Sequence, residues 1–245
     1  MQFTLIIITI YFLTGAFAIN RINHKHPEKR KENILKYITY LLLVTGMIAC
    51  IQNFLLPYIC FIIIYIGLYE IIKAGTNQKS FSLKTISVSI LLYLLITIPF
   101  FLFSSKVQMT EQLFIYIIVF VFDGFCQITG QLAGRNKLAR RISPGKTVEG
   151  LAGGLTAALV TGIAINPIVG FPIPALLIIT LLICISSLAG DLLASFYKRK
   201  TGIKDYGNII PGHGGILDRY DSFIMAGGCY YLITLFYKTL PISLS

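Results

Sequence analysis

The sequence predicts an all-α polytopic integral membrane protein of about eight transmembrane helices with a polar site at their cytoplasmic ends, and three observations carry that expectation. Hydrophobic residues make up 56% of the 245 and charged residues only 13%, where a soluble domain has roughly 25% charged; the mean hydropathy is +0.78. Apolar runs of near-spanning length, at least about 17 residues, recur along the chain at 2–19, 34–51, 54–74, 85–103, 113–133, 148–165, 173–197 and 216–237. The cations fall in alternate gaps between those runs, as the positive-inside rule requires. The net charge of +11 therefore reads as topology and not as a nucleic-acid surface.

The first run ends in Ala16-Phe17-Ala18, which resembles a signal-peptide cleavage site. No Lys or Arg precedes it, however, and Arg21, Lys25, Lys29, Arg30 and Lys31 follow it, so an uncleaved helix with its N-terminus outside is expected. His24 and His26 sit in this cluster and read as part of a solvated loop. The gaps after the first, third, fifth and seventh runs, with their adjoining helix ends, carry 6, 3, 5 and 5 cations, 19 of the 21 Lys and Arg; Lys106 and Lys238 fall on the other side. Both termini outside and four basic cytoplasmic loops follow. The seventh run is long and begins near Pro172 and Pro174, so it is expected to tilt or project into the cytosol. The five cysteines lie in apolar runs without metal-ligand spacing and read as small buried hydrophobes. No separate soluble domain and no repeat is evident: residues 1–112 read as a generic lipid-facing frame, and 113–245 as the functional region.

Residues 195–221, SFYKRKTGIKDYGNIIPGHGGILDRYD, concentrate the chemistry. They hold Lys198, Arg199, Lys200, Lys204 and Arg219, the acids Asp205, Asp218 and Asp221, His213, and glycines that include Gly214 and Gly215. Cations bind phosphate oxygens, carboxylates hold Mg²⁺, and glycines permit close approach, so the stretch suits a polyphosphate. An ordinary cytoplasmic loop would explain the Lys and Arg but not the acids beside the glycine run. A charged group at mid-bilayer costs on the order of 3 kcal/mol, so Asp123, Glu149, Asp191, Asp218 and Asp221 within or opening apolar runs need a reason. On a helix, Ser187, Asp191, Ser195 and Lys198 share one face, as do Asp218 and Asp221. The plain alternative for Asp191 is an ion pair with a loop lysine.

The basic stretch 134–150 contains Gly145-Lys146-Thr147, but Arg140 stands where a P-loop needs glycine. Ser143, Pro144 and Thr147 are expected instead to start the sixth helix, with Ser143 or Thr147 as its cap and its first amides beside Lys146 as an anion site. Gly214 and Gly215 are likewise expected to bring a phosphate onto the N-terminus of the eighth helix.

With these residues the chain closely resembles the phosphatidate cytidylyltransferase, or CDP-diacylglycerol synthase, family. The resemblance runs from Ser195 through Lys198-Arg199, Lys204-Asp205, Gly207, Ile210-Pro211 and His213-Gly214-Gly215 to Asp218-Arg219 and Asp221. Upstream it includes Asp123, Gly134, Lys137, Ser143 to Thr147, Glu149-Gly150 and Gly190-Asp191-Leu192. It covers about residues 113 to 225, and departs from the family pattern at Tyr197, at Val148 and at Gly124-Phe125-Cys126-Gln127.

The resemblance implies that CTP and phosphatidate, or a related anionic lipid, react to give CDP-diacylglycerol and pyrophosphate for phospholipid synthesis. It implies Asp191 and Asp218 as Mg²⁺ ligands with Asp221 and Asp123 as further ligands, and leaves room for a second cation, monovalent or divalent. Lys198, Arg199, Lys204 and Arg219 would hold the triphosphate. Ser143, Lys146 and Thr147 would hold the nucleotide or the lipid phosphate, with Ser195, Gly214 and Gly215 beside them. His213 would either protonate the departing pyrophosphate or orient the loop. A phosphate monoester has its second pKa near 6, so the acceptor is already anionic and positioning with charge neutralisation suffices. A bacterial inner membrane, tails entering from the inner leaflet and an optional homodimer complete the expectation. The rivals are a CTP-dependent kinase of a lipid or isoprenoid alcohol, whose neutral acceptor needs a base, and a transporter, whose acids would be spread along the helices.

Overall fold

A computed structural model describes residues 2–25, 28, 30–76, 83–207, 209 and 214–239. Among them are eight α-helices: α1 (Gln2–Lys25), α2 (Arg30–Gln52), α3 (Leu56–Thr76), α4 (Leu83–Lys106), α5 (Met109–Ala133), α6 (Val148–Val169), α7 (Ile173–Lys200) and α8 (Leu217–Thr239). The all-α membrane fold is as expected, because lipid leaves backbone N–H and C=O groups no partner but their own helix. Among the described residues six helices, those from α2 to α7, are long and apolar enough to cross a bilayer. The count of eight spans is thus not reached by that measure. In α8 the reason is chemical: it carries Asp218, Arg219 and Asp221 in its first turns and packs against α4, α5 and α7.

The chain departs from the expectation at 137–147. Residues Lys137–Ala139 (β1) and Ser143–Thr147 (β2) form a two-stranded antiparallel hairpin, with Lys137 opposite Thr147 and Ala139 opposite Ser143. Ser143 and Pro144 therefore lie in a strand and do not start the sixth helix. Thr147 is its cap: the extended Thr147 presents its hydroxyl to the amide of Gly150 at 3.0 Å, satisfying one of the donors that a helix start leaves orphaned. The Glu149 carboxylate turns back to accept from the backbone of Arg135 and Asn136 and from the Asn136 side chain. It thereby fixes the corner between α5 and the hairpin.

α5 is the centre of the bundle. Its residues 112–119, with Val121 and Phe122, are all buried, as befits a helix that is apolar all round. α6 crosses it closely because its facing positions lack side chains: a Cβ at Gly150 would stand 2.6 Å from the Cys126 carbonyl oxygen, and one at Gly154 2.8 Å from that of Phe122. Small residues at such crossings let backbones meet where no hydrophobic effect drives helices together. The same device joins α7 to α8, where a Cβ at Gly190 would lie 2.6 Å from the Asp221 carbonyl oxygen. That contact brings the acid-bearing turns of the two helices together.

Candidate active site

A cavity of about 450 Å³ opens where the hairpin meets α2, α5, α7 and α8, within the 300–1,000 Å³ typical of ligand sites. Nine of the predicted site residues line it: Asp123, Ser143, Lys146, Thr147, Asp191, Lys198, Asp218, Arg219 and Asp221. They come from both basic stretches and from three helices, so the fold makes one site of pieces far apart in sequence.

Two ion pairs organise the walls. Lys146 Nζ lies 2.5 Å from Asp191 Oδ2, and the other Asp191 oxygen accepts from Ser195 Oγ at 3.1 Å. Burial pulls the pKa of Lys146 down, but the Asp191 and Asp123 carboxylates outweigh it and hold the value above that of an ordinary lysine. The raised value fixes the sign of the pH dependence: the pair's contribution is fully present below the ordinary lysine pKa of about 10.4 and is lost only as pH rises past the higher folded value. Turnover measured between pH 7 and 10 should show no loss attributable to Lys146, whereas Lys146→Met should lower it at every pH.

The second pair is deeper. Lys198 Nζ donates to Asp218 Oδ1 at 2.6 Å, and the Asp218 side chain is 1% exposed. Asp218 Oδ2 accepts from the amides of Tyr206 and Gly215, both at 2.8 Å. Tyr206 lies under Lys198, its ring centroid 5.4 Å from Nζ, and burial pushes its phenol pKa up. It donates to the Ala194 carbonyl. Nothing in the sequence singled Tyr206 out.

The expected phosphate site at the start of α8 is closed by carboxylates. Asp218 takes the Gly215 amide, and Glu70 of α3 accepts from Ile216 N at 2.9 Å and Leu217 N at 2.8 Å. Gly214 and Gly215 serve that closure: Gly214 takes a positive φ of 82° beside Asp218, and a Cβ on Gly215 would collide with the Glu70 carboxylate. Glu70 is 2% exposed and was missed by the sequence reading. The signal was present, since it is an acid inside the apolar run 54–74, subject to the same cost as the others.

Ser195 reaches the cavity only through Asp191. Arg199 is exposed and donates to the carbonyls of Ile142 and Ile203, tying the hairpin turn to the end of α7. Lys204 is exposed and does not line the cavity. His213 lies outside the described residues.

The donor chemistry fits Mg²⁺. Asp123, Asp191 and Asp221 offer hard oxygens on one cavity, Asp123 being oriented by Ser187 Oγ at 3.2 Å and Asp221 by the Ser222 amide at 2.7 Å. Among the described residues no three acidic, imidazole or thiol groups form a cage, and Mg²⁺ needs none, being held by one or two carboxylates with substrate phosphates and water.

A family model described as "Cytidylyltransferase family" matches residues 1–237. Similar proteins include the phosphatidate cytidylyltransferase of Staphylococcus saprophyticus, 46% identical over 114 residues, which are 46% of this chain and 44% of that protein. That of Bacillus subtilis is 44% identical over 123 residues, 49% of this chain and 46% of its own length. That of Rickettsia prowazekii is 30% identical over 226 residues, 86% of this chain and 96% of the relative. The chain thus spans a little under half the length of the first two relatives and nearly all of the third. It belongs to the cytidylyltransferase family.

Proposed function

We propose that this membrane enzyme transfers the cytidylyl group of CTP to phosphatidate, giving CDP-diacylglycerol and pyrophosphate, with its site on the cytoplasmic face of a bacterial inner membrane. The observation that carries the reading is the single cavity in which Lys146, Lys198 and Arg219 meet Asp123, Asp191 and Asp221. Three cations match the phosphates of two substrates, and three carboxylates match a divalent cation. The names of the relatives agree with it.

In this reading an anionic oxygen of the lipid monoester attacks the α-phosphorus of CTP and pyrophosphate departs. Lys146 and Lys198 bind phosphate oxygens, and Arg219, exposed at the rim, neutralises the acceptor. Asp218 is a positioning group: its side chain is 1% exposed, against 29% for Asp191, so it holds Lys198 and the loop in place while the open Asp191, with Asp221 and Asp123, would hold Mg²⁺. The ion, when bound, supplies charge neutralisation at the reacting phosphates. Purified protein in vesicles, given CTP, Mg²⁺ and a panel of phospholipids and lipid alcohols, should consume only lipid phosphomonoesters. Consumption of an alcohol acceptor would overturn the proposal.

The sidedness is tested separately. In a background without the native cysteines, Lys106→Cys should react with an impermeant thiol reagent in intact cells and Arg140→Cys should be protected. The reverse pattern would invert the topology.

A further inference from the structure

A second cavity of about 330 Å³ adjoins the first, walled by α1, α2 and α5. The two share Tyr40, Phe120, Gln127, Gln131 and Arg219, so they are compartments of one space. Their chemistry differs. The first holds four carboxylates and two lysines, while among the described residues lining the second Arg219 is the one charged group.

Much of the wall of the second compartment is built of rings. Tyr11 meets Phe125 edge-on at 5.5 Å, and Phe12 lies 5.6 Å from Phe120. The polar atoms of that wall are turned to the protein: the Tyr11 hydroxyl bonds Thr161, Tyr37 donates to the Phe12 carbonyl at 2.6 Å, and Asn33 donates to Asn23 at 2.8 Å. A wall whose tyrosine hydroxyls are already bonded to the protein presents mainly ring faces and methylenes, which suits hydrocarbon better than the edge of a base. The shared boundary carries Gln127, Gln131 and Arg219 beside the rings of Tyr40 and Phe120. Along α5 the compartment runs from Phe120 to Gln131, about 16 Å at the helical rise of 1.5 Å per residue.

We infer that this second compartment seats the acceptor lipid, one acyl chain lying along α5 between the rings of α1 and α2 and the phosphomonoester resting at Arg219, on the boundary with the nucleotide cavity. The inference rests on the proposed function and deepens it. It assigns Arg219 to the junction of the two substrates, where one cation can serve the acceptor phosphate and face the nucleotide.

Filling the compartment tests this. Gly15 and Gly124 line it, and a Cβ there would meet nothing nearer than 3.5 Å and 3.9 Å; with Gly15→Ala and Gly124→Ala as folding controls, the compartment is filled by Gly15→Leu and Gly124→Leu. Each should raise the KM for phosphatidate about tenfold or more, the effect of losing about 1.4 kcal/mol of binding, with the KM for CTP unchanged. The chain contains no Trp, so Phe12→Trp gives a single reporter whose readout is independent of activity. Brominated phosphatidate in vesicles should quench it more than brominated phosphatidylcholine at equal mole fraction, and Arg219→Ala should erase the difference. A raised KM for CTP, with quenching changed by CTP alone, would make this a nucleobase pocket and overturn the inference. So would unchanged KM values with equal quenching by both lipids. If the wild-type protein formed no CDP-diacylglycerol yet the quenching preference held, the proposed reaction would fail and the lipid seat would stand.

Discussion

Asp218→Ala is expected to abolish turnover and to lower the unfolding midpoint by about 10 °C, from a loss of a few kcal/mol in a chain of this size. The substitution removes the partner of Lys198, itself 8% exposed, and the acceptor of the Tyr206 and Gly215 amides. Removing one member of a buried ion pair costs about 3–5 kcal/mol, because the remaining charge is left without compensation. The origin can be separated from the chemistry. Asp218→Asn combined with Lys198→Met removes both charges and should recover most of the midpoint, while activity stays absent because Lys198 is gone. Thermal unfolding in detergent with a parallel turnover assay checks both; since Asn keeps an acceptor oxygen for the two amides, a double variant as unstable as Asp218→Ala would show that the unpaired Lys198 charge is not the origin of the loss.

The second large effect is expected at Glu70. It lies outside the signature stretch, yet its carboxylate holds the first amides of α8 across 146 residues of chain. Glu70→Ala leaves Ile216 N and Leu217 N without acceptors, at about 1–3 kcal/mol for each buried orphan. It also releases the turn that presents Asp218, Arg219 and Asp221. Turnover should fall about a hundredfold, on the scale of losing one preorganised electrostatic group, and Glu70→Gln, which keeps an acceptor oxygen, should recover part of it. Hydrogen exchange at Ile216 and Leu217 should accelerate in the alanine variant. Unchanged exchange together with normal turnover would remove Glu70 from the account.

Much of the fold was legible because lipid is a demanding solvent. A spanning segment must be an apolar helix, so the run 54–74 became Leu56–Thr76 and the run 113–133 became Met109–Ala133 with little room for error. α6 outran its expected end at 165 because Pro167 fits within its last turns and Gly170, at φ 70°, ends the helix instead. The hairpin was not legible: strands of three and five residues have too few positions to show alternation, and their support from Arg199 and Thr147 is tertiary. At the site, each charge was visible but its partner was not. Lys146 could have met any acid; that it meets Asp191 depends on how the hairpin lies against α7, and that Lys198 meets Asp218 depends on how α7 and α8 cross at Gly190. Glu70 was hidden by an assumption, that the first helices only face lipid, which its own burial cost argued against.

The reaction proposed for this cavity moves the α-phosphorus of CTP onto a lipid phosphate. The most direct measurement supplies purified protein and phosphatidate vesicles with CTP labelled at the α- or the γ-phosphorus, and follows the label in the wild type and in Asp191→Asn. α-Label is expected in the lipid fraction and γ-label in pyrophosphate, both reduced about a hundredfold by the substitution. γ-Label in the lipid with CDP released, or full activity in Asp191→Asn, would contradict it.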